Sequence, residues 1–131
     1  FNGALDSPLD NTTYYLGLYS GVSAGVVQIV YDYVKVPIPV AGTIIAVILE
    51  IVNLGVDSSG EAVTIKLNKN NGTTVTLAPT VTFAGQSSNN WTGLSFAVAQ
   101  GDFLALEINT PAWASNPTFT NLTATIIIQK T

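Results

Sequence analysis

Eight carboxylates, four lysines and five tyrosines carry the acid–base chemistry available to this sequence of 131 residues, which has no histidine, cysteine, methionine or arginine. A serine nucleophile normally works through an adjacent histidine, and a thiolate site needs cysteine, so both chemistries are excluded. A Ser–Lys pair would have to use Lys66 or Lys69. The pattern puts these on an exposed strand face and beside a hairpin tip, where neither loses enough solvation to act as a base. Paired carboxylates must converge on one substrate. Asp102 and Glu107 are five apart along one strand, so alternation sends them to opposite faces. Asp57 and Glu61 flank Ser58-Ser59-Gly60 and could offer oxygens to Ca²⁺ with backbone carbonyls, but such sites usually gather more carboxylates. Asp6 and Asp10 suffer the same shortage. The chain is therefore read as non-enzymatic and without a cofactor.

Other residues suit binding rather than catalysis. Glu50 interrupts an apolar run, and a carboxylate is costly to bury unless paired. Either it faces water at a rim, or it meets Lys35 or Lys130 of another copy. All five tyrosines (Tyr14, Tyr15, Tyr19, Tyr31, Tyr33) fall in the first quarter of the chain. They read as sheet-surface side chains or as a self-association surface, since tyrosine is favoured at interfaces. Trp91 and Trp113 could stack on sugar rings or close the end of a core. Sequons at Asn11, Asn71, Asn90 and Asn121 offer N-glycosylation sites in a glycoprotein.

These residues need elements to hold them, and the patterning supplies strands. Leu94, Phe96 and Val98 alternate with Ser95 and Ala97, Gln100-Gly101-Asp102 supplies a turn, and Leu104, Leu106 and Ile108 alternate on the way back, which reads as a β-hairpin over Leu94–Ile108 that must bury one face. Gly42–Asn53 is a β-branched strand, apolar on both faces over much of its length. Glu61–Asn68 alternates with Val63, Ile65 and Leu67 inward and Thr64, Lys66 and Asn68 outward. Lys69-Asn-Asn-Gly72 is a hairpin signal in which Asn-Gly suits a type I′ turn. Thr73–Leu77, Val81–Phe83 and Phe119–Lys130 complete the later strands; Thr13–Tyr19 and Val26–Val34 are expected earlier. Residues 1–12 read as a loop or extended arm, and residues 13–131 as a single domain. The expected fold is all-β: an antiparallel two-sheet β-sandwich, an eight-stranded jelly roll with an extended N-terminal arm.

Composition narrows the partners. Charged residues make up 9% of the chain and its net charge is −4, which excludes a phosphate-binding surface and hence nucleic acid. The most apolar stretch, 36–52, contains two prolines and Glu50. It reads as a buried strand, and no membrane span is expected. The sequence begins at Phe1 rather than Met, as a removed leader or a proteolytic maturation would leave it.

Taken together, Ile38-Pro-Val-Ala-Gly-Thr-Ile-Ile, Val63-Thr-Ile-Lys-Leu-Asn-Lys-Asn-Asn-Gly-Thr, Leu94-Ser-Phe-Ala-Val-Ala-Gln-Gly-Asp-Phe-Leu-Ala-Leu, Thr110-Pro-Ala-Trp-Ala and Ala124-Thr-Ile-Ile-Ile resemble the β-sandwich head domains of phage tail fibres and capsid-decorating proteins, of the tumour-necrosis-factor-like jelly-roll type. The resemblance covers residues 36–130. It implies a structural or receptor-facing module that forms a homotrimer, with no catalytic residues to carry over. The leading expectation is a structural viral protein: a tail-fibre, spike or decoration subunit, located in the virion. The alternatives are an extracellular filament or pilus subunit assembled by N-terminal strand donation, and a carbohydrate-binding module that takes a cell-surface glycan on Trp113 or Trp91.

Overall fold

Val, Ile and Thr suit a pleated surface because their branched side chains pack against cross-strand neighbours. The computed structural model describes residues 1–17 and 30–131, and the apolar alternation there is realised as strands. These are β1 (Asn2–Leu5), β2 (Thr13–Leu16), β3 (Val36–Pro37), β4 (Gly42–Asn53), β5 (Val63–Lys69), β6 (Thr73–Val81), β7 (Gln86–Val98), β8 (Phe103–Asn109) and β9 (Thr120–Lys130). One antiparallel sheet has the order β1-β9-β4-β7; the other has β2-β8-β5-β6, with β3 also on β8. Apart from the two-residue β3, the strands pair as nested partners: β5 with β6, β4 with β7, β2 with β8 and β1 with β9. A ribbon folded about one hairpin and wrapped into two facing sheets is an eight-stranded jelly roll.

The inner faces meet as expected. Ile44, Val47, Leu49 and Ile51 of β4 pack towards Ile65 and Leu67 of β5, and Leu104, Leu106 and Ile108 of β8 join the same core. Burying side chains of this size contributes about 1.5–3 kcal/mol each relative to leaving them in water. Phe83 is fully buried at one end and stacks on Trp113, with ring centroids 6.1 Å apart.

Five local expectations change. The hairpin expected over Leu94–Ile108 does not form, because β7 pairs with β4 in the first sheet and β8 with β2, β3 and β5 in the second, so residues 99–102 carry the chain from one sheet to the other. Residues 2–5 are extended, and they lie as edge strand β1 against Thr120–Thr123 of β9. Residues 30–34 of the expected strand Val26–Val34 form a 3₁₀ turn over Tyr31–Tyr33, which buries Tyr31 and Val34 at a spacing of three; the rest of that stretch lies outside the described residues. The hairpin after β5 has positive φ at Asn70 and Asn71, one residue earlier than Asn-Gly implies, with Gly72 N–H donating to Lys69 C=O. Asparagine tolerates this conformation, and the Asn70 amide fixes it there by donating to Asp102 and accepting from Phe103 N–H, both at 2.8 Å. Finally, β7 starts at Gln86 rather than Leu94, and β6 runs through Pro79 to Val81, leaving Phe83 in the following loop. Proline is tolerated there because β6 is an edge strand.

Candidate interaction surfaces

The outer face of the second sheet holds a polar row that the sequence did not disclose. Thr64, Lys66 and Asn68 do point away from the core, but Asn68 is buried and Glu107, its neighbour on β8, is only 8% exposed. Glu107 lies directly across from Lys66 on one side and from Tyr15 on the other. It accepts hydrogen bonds from Lys66 Nζ at 3.0 Å and Asn68 Nδ2 at 2.7 Å. Lys66 is therefore half-buried and ion-paired rather than solvated. Burial pushes the Glu107 carboxyl up. Hydrogen bonds from Lys66, Asn68 and Asn109, with the Lys66 charge, outweigh that and hold it below the usual carboxylate value. Burial, and then the Glu107 charge, raise Tyr15. The signal for this row was Phe103-Leu-Ala-Leu-Glu107: Phe103, Ala105 and Glu107 share one face, and such an apolar face implies cover. Tyr31, Val34 and Tyr15 gather around Ala105 to provide it.

Asp10, Asp57, Glu61 and Asp102 are held by backbone N–H groups rather than gathered around a substrate. Asp57 accepts from Gly85 N–H and Glu61 from Ala114 N–H, both at 2.8 Å. Hydrogen bonds from backbone N–H groups lower the Glu61 carboxyl. Asp10 accepts from Trp113 N–H, and Asp6 from the Ser7 hydroxyl. Asp102 takes the Ala99 N–H and the Asn70 amide, which lower its carboxyl, and sits 3.8 Å from Lys69 Nζ. Among the described residues no three metal-ligating side chains cluster.

The binding candidates separate sharply. Trp91 and Trp113 are buried, with the Trp91 indole N–H donating to Pro79 C=O, so neither presents a sugar platform. Tyr14 and Tyr31 are likewise core residues: the Tyr14 hydroxyl accepts from Leu9 N–H, and the Tyr31 hydroxyl donates to Phe103 C=O. Tyr15 stands edge-on to Tyr31, and Tyr33 is the one described tyrosine left exposed, at 72%. Tyr19 lies outside the described residues. Glu50 is exposed on the outer face of the first sheet between Ser88 and Thr123, while Lys35, one of its proposed partners, is 2.7 Å from Asp32. The sequon residues Asn11, Asn71, Asn90 and Asn121 are all exposed.

Two apolar surfaces stand out instead. At one end of the sandwich Leu54, Val56 and Phe119 are 71%, 53% and 60% exposed. Their loops are clamped together: Leu54 N–H donates to Phe119 C=O, Val56 N–H to Thr118 Oγ1, and Thr118 N–H to Val56 C=O. Gly55 is required by this clamp, since a Cβ there would lie 2.1 Å from Thr118 Oγ1. Phe119 has φ of 52°, a region that bulky residues avoid. The second surface is an apolar groove of about 370 Å³ between the sheets, lined by residues that include Phe1, Val36, Ile38, Leu104, Ile126 and Ile128.

No helix among the described residues is long and apolar enough to cross a membrane. Comparison with protein-family models, with curated proteins and with solved structures finds no match.

Proposed function

We propose that this chain is a non-enzymatic structural subunit that works by associating with copies of itself, as a tail-fibre, spike or decoration protein of a virion. The observation that carries this reading is the Leu54–Val56–Phe119 patch. A contiguous exposed apolar surface on a soluble domain marks a contact site, and a phenylalanine held in the left-handed region keeps a strained conformation at the place where its ring faces outwards. The jelly roll is consistent with this role, because viral capsid domains are among its hosts. The buried tryptophans do not favour a glycan platform, and residues 2–5 are seated in their own sheet rather than free to complete a neighbour's.

Phe119→Gly tests the reading because its two effects have opposite signs. Glycine adopts positive φ without steric cost, so the isolated domain should gain about 1 kcal/mol, seen as a rise of roughly 3 °C in Tm. Loss of the ring should weaken association in sedimentation runs over a concentration series. A wild-type mass that stays monomeric at every concentration, or association untouched by Phe119→Gly, would remove the basis of the proposal.

A further inference from the structure

Asparagine is used in two ways in this fold. Of the eleven asparagines, Asn53, Asn68, Asn70, Asn89, Asn109 and Asn116 each commit the side-chain amide to a hydrogen bond with another described residue. The four that open a sequon behave differently. Asn11, Asn71, Asn90 and Asn121 are exposed, and none of their side-chain amides bonds to a described residue. At Asn11 and Asn71 a positive φ accounts for the residue type, since asparagine tolerates that region. Asn90 and Asn121 have no such reason. They sit inside β7 and β9, where asparagine is depleted and a β-branched residue would suit the pleat better. In each sequon the middle residue, Trp91 or Leu122, is buried, while Thr92 or Thr123 is exposed beside its asparagine, with a hydroxyl bonded to no described residue. Strand alternation therefore presents amide and hydroxyl together on the outer face. Asn11 lacks this pairing, because the hydroxyl of half-buried Thr13 accepts from Asn109 at 2.9 Å.

We infer that Asn90 and Asn121 are acceptors of N-linked sugar, and that the outer face of the first sheet is a glycan-bearing face. The donor is a sugar carried on a polyprenyl phosphate. Asparagine Nδ2 forms a bond to the anomeric carbon, and the bond from that carbon to the phosphate oxygen breaks. The lipid phosphate leaves with the electron pair, and Nδ2 gives up one proton to the transferase. The threonine hydroxyl two residues on completes the sequon that the transferase reads. Asn90 lies across from Ile48 and Asn121 across from Val52, on strands either side of β4. Sugars at both positions flank Glu50, so its exposed carboxylate faces water and carbohydrate. Among the described strands β7 ends the first sheet. A bulky hydrophilic group on Asn90 then covers an edge that could otherwise pair with another chain. The inference goes beyond the self-association reading and does not depend on it.

Peptide mapping by mass spectrometry of the protein from its native source tests this. The peptides that hold Asn90 and Asn121 are expected to carry added sugar mass. Thr92→Ala, produced in the same cells, should lose the sugar on Asn90 and keep that on Asn121. Thr92→Ser restores a hydroxyl and should recover it. Thr92 is exposed and its side chain bonds to no described residue, so the circular-dichroism spectra of both variants should match the wild type. Both peptides at their unmodified mass would overturn the inference, as would sugar on Asn90 that survives Thr92→Ala. The measurement is made on peptides, so neither result depends on whether the chain associates, and failure here leaves the self-association reading standing.

Discussion

Lys66→Ala is expected to destabilise the domain by about 3–5 kcal/mol, because it leaves Glu107 buried without its counter-ion. Against a total stability of about 5–15 kcal/mol for a native domain, that loss is large. In the wild type the folded Glu107 carboxyl lies below its ordinary value of 4.5. Its contribution is therefore present above that value and fades as pH falls through the lower, folded one. Removing Lys66 takes away a hydrogen bond and a positive charge, so burial dominates and the carboxyl moves up. The deficit of Lys66→Ala should then be greatest near neutrality and shrink on acidification, when Glu107 takes up a proton. Urea unfolding of both proteins near pH 7 and pH 4 reads this directly. Lys66→Met with Glu107→Leu should recover most of the lost stability, since a buried pair replaced by apolar residues of similar volume is often neutral or stabilising. A double variant as unstable as Lys66→Ala would mean that the unpaired carboxylate is not the cause.

Phe83→Ala should cost a similar amount, about 3–5 kcal/mol, through the cavity it opens at the end of the core. Phe83 has no exposed surface, and its ring lies at 30° to that of Trp113. Its carbonyl accepts Ser58 N–H at 3.0 Å and Asn53 Nδ2 at 3.1 Å, so the loops at that end converge on this residue. Trp113 should lose its apolar cover, giving red-shifted emission in the folded state. Phe83→Leu, which refills part of the space, should lose markedly less. Equal losses for the two substitutions would show that the cavity does not set the cost.

The sheets were legible because their signals are local. Gly42–Asn53 and the alternation from Phe103 to Ile108 specify strands whatever their neighbours, and Asn70 and Asn71 mark a turn to within one residue. The polar row was illegible because Lys66 and Glu107 lie 41 residues apart. Only strand order brings them together, and alternation alone labels Lys66 as outward and hence wet. Tyr31 and Val34 misled for a related reason: aromatic and β-branched residues suggest a strand, while their spacing of three belongs to a 3₁₀ turn. The polar run Gln86–Asn90 hid the first part of β7, an edge strand whose regularity comes from pairing with apolar β4. The exposed ring of Phe119 carried no sequence signal, because its meaning lies in a backbone angle.

Nesting of the strand pairs also constrains how the chain reaches its shape. Among strands that pair with each other, only β5 and β6 are joined by a tight turn; every further pair encloses the one before it, and β1 on β9 spans nearly the whole polypeptide. Loop closure must be completed for each pair before its contacts repay the lost entropy, which places this topology among slow folders of high contact order. The outermost of these pairs borders the groove between the sheets, so Phe1 and Ile126, from opposite ends of the chain, share its wall.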